Sequence, residues 1–245
     1  ANEIFAARQV AQANQQGGAG GGLLPPNSNA TTSPYKGKIF FDSVQWNGDA
    51  ENETITISNR TDTERILITA ISIITEHGQV YLVPPAFVLP GFSATPSDPI
   101  ILDPHNHVVI SVGKQDRRMN FRENVCTGYF DETSRFSPGL SHQCPVPNTR
   151  TLHNLSDRCI QALGRVQSCR VGPQLDFPDP ECAYYIADNF NYAGCVAHER
   201  TRQDFYHDRW LVWMQRTVPF FNKRFDTVVL KDGVGKVVDS YQYGY

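Results

Sequence analysis

The 245-residue chain contains no apolar run approaching about 18 residues, so no segment of it reads as a membrane-spanning helix. It lacks a large excess of either charge: 22 Lys and Arg against 25 Asp and Glu leave a net charge of −3. That balance argues against nucleic acid as a partner, because nucleic-acid-binding domains carry a basic face, and Arg117-Arg118 is the nearest approach to one. There is no Gly-x-Ser-x-Gly elbow, His-Glu-x-x-His helix, Walker loop or dinucleotide fingerprint, which removes the enzyme classes those motifs announce. No two cysteines have Cys-x-x-Cys spacing, so the usual structural zinc pattern is missing too. Hardly any ten-residue stretch of the first half follows a helical period.

What is present is a series of short β-branched runs. Glu53-Thr-Ile-Thr-Ile-Ser-Asn-Arg-Thr-Asp62 alternates Ile55 and Ile57 with hydroxyl residues and closes in a polar turn. Residues 65–74 form a second run and residues 79–83, with Val80 and Leu82, a third. Phe87-Val-Leu-Pro-Gly91 and Ile100-Ile-Leu-Asp-Pro104 each end at a proline, which cannot donate to a ladder, and Val108-Val-Ile-Ser-Val112 follows. Residues 225–243 write a β-hairpin: Val228 and Leu230 share a face, Lys231-Asp-Gly-Val-Gly-Lys236 supplies the turn, and Val237, Val238 and Tyr241 return. Short strands with turn signals between them predict an antiparallel sandwich.

The order of these pieces resembles the lamin-tail domain. The Asn-x-Thr turn comes first, then Val-Leu-Pro, then Leu-Asp-Pro before Val-Val-Ile, then Trp210-Leu-Val-Trp213, and last Val-Val-Leu-Lys-Asp-Gly with Val-Val-Asp-Ser-Tyr. The likeness covers residues 37–113 and 208–243. It implies an immunoglobulin-like β-sandwich of a family found in nuclear lamins and, more often, in secreted or surface proteins of bacteria. Where that family has a short connection before the tryptophan strand, this chain has about ninety residues. The resulting division is an arm at 1–36, a sandwich at 37–113 and 208–245, and an insertion at 114–207. The expected fold is therefore mainly β, with a disulfide-rich, partly helical insertion and an extended N-terminal arm.

All six cysteines, Cys126, Cys144, Cys159, Cys169, Cys182 and Cys195, fall in the insertion. An even, dispersed set in the segment least able to build a regular core predicts three disulfides and an oxidising compartment, with fifteen pairings open. Residue 1 is Ala, which suits a mature exported product from which a leader has been removed. Within the insertion, Ser156 reads as an N-cap and Gly164 as a C-cap of a short helix with Leu155, Cys159, Ile160 and Leu163 on one face. Residues 181–189 read as a second helix with Ala183, Ile186 and Ala187 inward. Tyr184, Tyr185, Phe190 and Tyr192 serve either as the core of this cap or as a ligand surface, being of the residue types that anchor interfaces.

No catalytic residue, cofactor or metal ligand set declares itself. His105 and His107 would point the same way in an extended strand, yet no third or fourth ligand accompanies them, and turn histidines are the simpler reading. His198 with Glu199 and His207 with Asp208 read as parts of a polar loop. The turn carboxylates Asp98, Asp103, Asp176 and Asp179 are calcium candidates but also ordinary turn residues. An even cysteine count leaves no unpaired nucleophile.

The arm carries Ile4, Phe5 and Val10, then a glycine-rich linker at 15–22, then Leu23-Leu24-Pro25-Pro26. Ordering about thirty residues costs roughly 1–2 kcal/mol each, so an arm that is held in place needs a large surface to lie on. A sheet edge of a neighbouring copy offers one, and a head-to-tail link that does not close makes a filament. The leading expectation is a non-catalytic structural subunit of an extracellular assembly, a filament, pilus-like fibre or surface layer, whose partners are copies of itself. The alternative is a monomeric cell-surface adhesion module binding through its aromatic cap. Asn29, Asn52, Asn59 and Asn154 stand in N-glycosylation sequons, as suits an exported protein.

Overall fold

The computed structural model describes residues 32–90, 98–146, 152, 154–170 and 179–244. The arm residues Ile4, Phe5, Val10, Leu23 and Leu24, the carboxylate Asp176 and the sequon at Asn29 lie outside them. The described chain is mainly β, as the strand pattern predicts. Its eleven described strands are β1 (Ile39–Gln45), β2 (Thr54–Asn59), β3 (Ile66–Leu67), β4 (Ser72–Thr75), β5 (Val80–Leu82), β6 (Ile101–Leu102), β7 (His107–Ser111), β8 (Phe121–Asn124), β9 (Tyr206–Trp213), β10 (Asp226–Lys231) and β11 (Val237–Tyr243). Three α-helices are described within residues 114–207: α1 (Asp157–Leu163), α2 (Pro180–Asn189) and α3 (Tyr192–Glu199).

Two sheets face each other across the main core. One runs β1-β2-β7-β9-β8 and the other β11-β10-β4-β5, with β3-β6 as a small third pair. Alternation chooses the inner faces. In β2, Ile55 and Ile57 are buried, and their cross-strand partners Ile110 and Val108 in β7 are fully buried as well. In β10, Val228 and Leu230 do the same on the opposite sheet. β1 breaks the period, burying Ile39 and Phe41 and then Val44, because a bulge between Phe41 and Ser43 re-phases the strand. Each such side chain removed from water stabilises the sandwich by roughly 1.5–3 kcal/mol.

Within this largely antiparallel frame one pair is parallel: β7 lies beside β9 with Val108 opposite Trp210 and Ile110 opposite Val212. Parallel neighbours need a long crossover, and the stretch between these two strands is the crossover that holds the insertion. That stretch also gives β8 to the five-stranded sheet, antiparallel to β9.

Some boundaries differ from the sequence reading. The run at 65–74 is not one strand, since Ala70 takes a left-handed backbone (φ 68°) that divides it between β3 and β4. Phe87 makes a single bridge to Phe121 rather than starting a strand. In α2 the inward residues are Cys182 and Ile186, four apart, with Phe190 continuing the row at the C-cap, while Ala183 is half-buried and Ala187 is exposed. The Cys159–Cys182 bond fixes that rotation by tying α2 to α1. α1 itself is capped as expected, the Ser156 hydroxyl accepting from the Cys159 amide at 3.2 Å.

The sequon at Asn59 is structural. Its side chain is fully buried, and its amide donates to the carbonyls of Glu64, Leu102 and Asp103 at 2.7, 3.0 and 3.2 Å. Asn52 and Asn154 are exposed. Expression in a glycosylating host should therefore leave Asn59 unmodified in peptide mapping, whatever happens at the other two. A glycan at Asn59 would contradict the fold.

Candidate functional site

The insertion builds a cap with its own core. Its three disulfides are Cys126–Cys195, Cys144–Cys169 and Cys159–Cys182, separated by 69, 25 and 23 residues, and no described cysteine is free. Around them pack Val125, Tyr129, Leu163, Ile186, Phe190 and Phe205. A neighbouring aromatic cluster, Phe121, Phe130, Phe136 and Trp213 with Leu140 and Leu211, joins the cap to the outer face of β8 and β9. The cap thus forms a third layer over one half of the five-stranded sheet.

Its third helix escaped the sequence reading. His198 and Glu199 belong to α3, and His207 and Asp208 to β9, so neither pair lies in a loop. The signal was Asn191, an N-cap whose side chain accepts from the Gly194 amide at 2.9 Å. Gly194 sits where α3 crosses the end of α2. A Cβ there would come within 2.2 Å of the Asp188 carbonyl oxygen and 2.7 Å of the Asn189 Cα. Gly194→Ala should destabilise the protein by about 1–3 kcal/mol through forced backbone movement, read as a lower denaturant midpoint.

The four candidate ligand-surface aromatics do not share a surface. Phe190 is buried, Tyr185 packs edge-on against it, and Tyr192 lies on Phe130 with centroids 4.5 Å apart. The Asn124 side chain donates to the Tyr192 hydroxyl at 3.3 Å, and burial pushes that phenol up to about 12. Tyr184 alone stands out, 73% exposed.

The histidines and turn carboxylates are likewise dispersed. His105 is in a left-handed turn (φ 64°) before β7, 3.3 Å from Asp62, whereas His107 is in the strand, 4.0 Å from Asp208. Asp98 accepts from the Val88 amide, Asp103 bridges Arg65 and Arg122, and Asp179 caps α2 by accepting from the Cys182 amide. Among the described residues no three His, Cys, Asp or Glu side chains converge as a metal site.

One buried polar cluster, at Glu123, is not announced by the sequence. Glu123 of β8, 1% exposed, accepts from Arg209 Nε and Nη2 at 2.8 Å each, and from the Ser141 amide at 2.7 Å. His207 Nδ1 lies 3.5 Å from the same carboxylate, and Arg209 also donates to the Gly139 carbonyl at 3.0 Å. These groups line an open cleft of about 470 Å³ with Leu140 and Gln143. Burial alone would raise the pKa of Glu123, but the hydrogen bonds from His207, Arg209 and Ser141 and the guanidinium charge override it and hold the carboxyl down at about 2. A general base works best with a pKa near the working pH. Glu123 is instead a saturated anion that clamps residues 139–141 to β8 and β9.

The remaining feature is a sheet edge. β1 and β11 close against each other, the Phe41 amide donating to Asp239 at 2.8 Å. The outer side of β8 is covered by Phe87, whose amide donates to Asn120 O and whose carbonyl accepts from Arg122 N. β5 is different. The Val83 amide donates to Ile71 O and the Thr75 amide to Gln79 O, so Tyr81 between them turns its main chain toward β4. By alternation the amides and carbonyls of Val80 and Leu82 face away from the sheet. Among the described residues no backbone bond meets them there. Their side chains are 55% and 52% exposed, beside half-buried Ile74 and Val229 on the outer face.

Comparison with protein-family models and with curated proteins finds no match to this chain. Among the described residues no helix is long and apolar enough to cross a membrane.

Proposed function

We propose that this is a lamin-tail-type sandwich serving as a non-catalytic structural subunit of an extracellular assembly, its copies tied together by the N-terminal arm. The observation that carries the reading is the β5 edge: among the described residues no backbone bond meets the outward main chain of Val80 and Leu82, whereas β1 meets β11 through Phe41 and Asp239 and Phe87 lies along β8. Proteins blunt exposed edges with charge, proline or bulges, because an open apolar edge recruits another strand. β5 carries no charge and no bulge; its three-residue length and the Pro84-Pro85 that follow Val83 confine the open window to Val80–Leu82.

Two further observations support the reading. Three buried disulfides are the chemistry of an oxidising compartment and rigidify a subunit that works outside the cell. The Glu123–Arg209 cluster that lines the cleft clamps residues 139–141 to the sheet. The alternative, an adhesin binding through its cap, rests on four aromatics of which Phe190 is buried, Tyr185 and Tyr192 are half-buried and only Tyr184 is exposed.

Negative-stain electron microscopy of the full chain beside a chain lacking residues 1–24 tests the proposal. Regular filaments or sheets that disappear with the truncation are expected. Assemblies that persist without the arm would move the tie elsewhere, and single particles in both samples would overturn the subunit reading.

A further inference from the structure

The apolar edge at β5 has a chemically specific demand. It offers two outward amides and two outward carbonyls, from Val80 and Leu82, over a window of three residues. It also has apolar side chains on both faces of the strand. Val80 and Leu82 continue the outer face, while Tyr81 points into the sandwich and is packed against the main core. A strand that completes this edge must be short, must keep its backbone donors, and must present an apolar residue to each side.

Two apolar pairs of the arm compete for that description. Leu23-Leu24 runs directly into Pro25-Pro26, neither of which has an amide to donate, so it makes a poor ladder partner. Ile4-Phe5 is followed by Ala6-Ala7, with every donor intact. Being adjacent, Ile4 and Phe5 point to opposite faces of an extended strand, the disposition that Leu82 and Tyr81 require. The glycine-rich stretch at 15–22 then separates this pair from the folded domain. Residues 11–32 span up to about 70 Å when extended, at about 3.3 Å per residue. A domain of this size is about 45 Å across, so the arm reaches over a whole neighbouring subunit.

Resting on the structural-subunit reading above, we infer that the segment around Ile4 and Phe5 of one copy adds as a strand to the β5 edge of the next copy, pairing with the outward main chain of Val80 and Leu82. The main-chain bonds set the affinity and the two apolar faces the register. The donor arm and the acceptor edge are different surfaces of the same chain, so the contact is heterologous and propagates.

The test uses two full-length chains, one carrying Ala6→Cys and the other Gln79→Cys, mixed and treated with a bismaleimide. Gln79 is exposed beside β5, and no described cysteine is free to compete. The expected result is a covalent dimer formed only in the mixture. Adding Val80→Lys and Leu82→Lys to the acceptor should cut its yield on the order of tenfold or more, because both side chains are already exposed in the single subunit and the fold is spared. Circular dichroism of that acceptor checks the fold. A chain bearing both cysteines that cross-links only within itself would overturn the inference in favour of docking on its own edge. Undiminished assembly with no cross-link, or with the lysine acceptor, would also overturn it while leaving the arm-tied subunit standing. Absence of both cross-link and assembly would remove the subunit reading and the inference with it.

Discussion

Replacing Cys126 and Cys195 together by alanine is expected to lower the melting temperature by about 8 °C. The bond joins residues 69 apart and ties the start of the 3-10 segment Thr127–Glu132 to α3. A loop of that length restricts the unfolded chain by about 4 kcal/mol in the chain-entropy account. Unfolding entropy for a chain this long is on the order of 0.5 kcal/mol/K, which converts the loss into that shift. The effect should be largest in the cap, because Cys126 and Cys195 are both in its core, with Phe190 and Phe205 beside them. Thermal unfolding followed by near-ultraviolet circular dichroism reads it. A shift below about 2 °C would mean that the cap is held by its aromatic packing and not by this cross-link.

Glu123→Ala is expected to cost about 3–5 kcal/mol, since it leaves the Arg209 guanidinium facing the cleft without its carboxylate and the Ser141 amide without an acceptor. The same residue sets an acid limb of stability. Its folded pKa, about 2, is below the ordinary value of 4.5, so its stabilisation is fully present above about 4.5 and is lost as pH falls through about 2. At about 1.4 kcal/mol per pKa unit the contribution is about 3 kcal/mol. Urea midpoints measured from neutral pH down to about 2 should fall less steeply in Glu123→Gln than in the parent protein. Parallel curves would show that the clamp does not depend on the charge of Glu123.

The sandwich was legible because its strands bury one face each. Ile55 and Ile57, Val108 and Ile110, Val228 and Leu230 stand two apart in sequence and inward in the fold. The helix at Asp157–Leu163 was legible from its cap residue, Ser156. Features that depend on distant pieces were not. The rotation of α2 follows from the bond between Cys182 and Cys159, one of many pairings the sequence allows. The division at Ala70 is a backbone reversal in a run whose side chains all favour strand. The Glu123 clamp joins residues 86 apart, and nothing in Phe-Arg-Glu-Asn announces it. At the candidate assembly site the sequence did show Val80 and Leu82 as a strand. That this strand lies at an edge is a property of topology, which only the sheet order β11-β10-β4-β5 supplies.

Sedimentation velocity of the full chain over a concentration series from about 1 to 100 µM is the most direct test of a self-associating subunit, because mass action must show in the mass itself. The account predicts a weight-average mass that climbs with concentration well beyond the 27.5 kDa of one chain, without settling at a dimer. A single 27.5 kDa species across the whole range would contradict it.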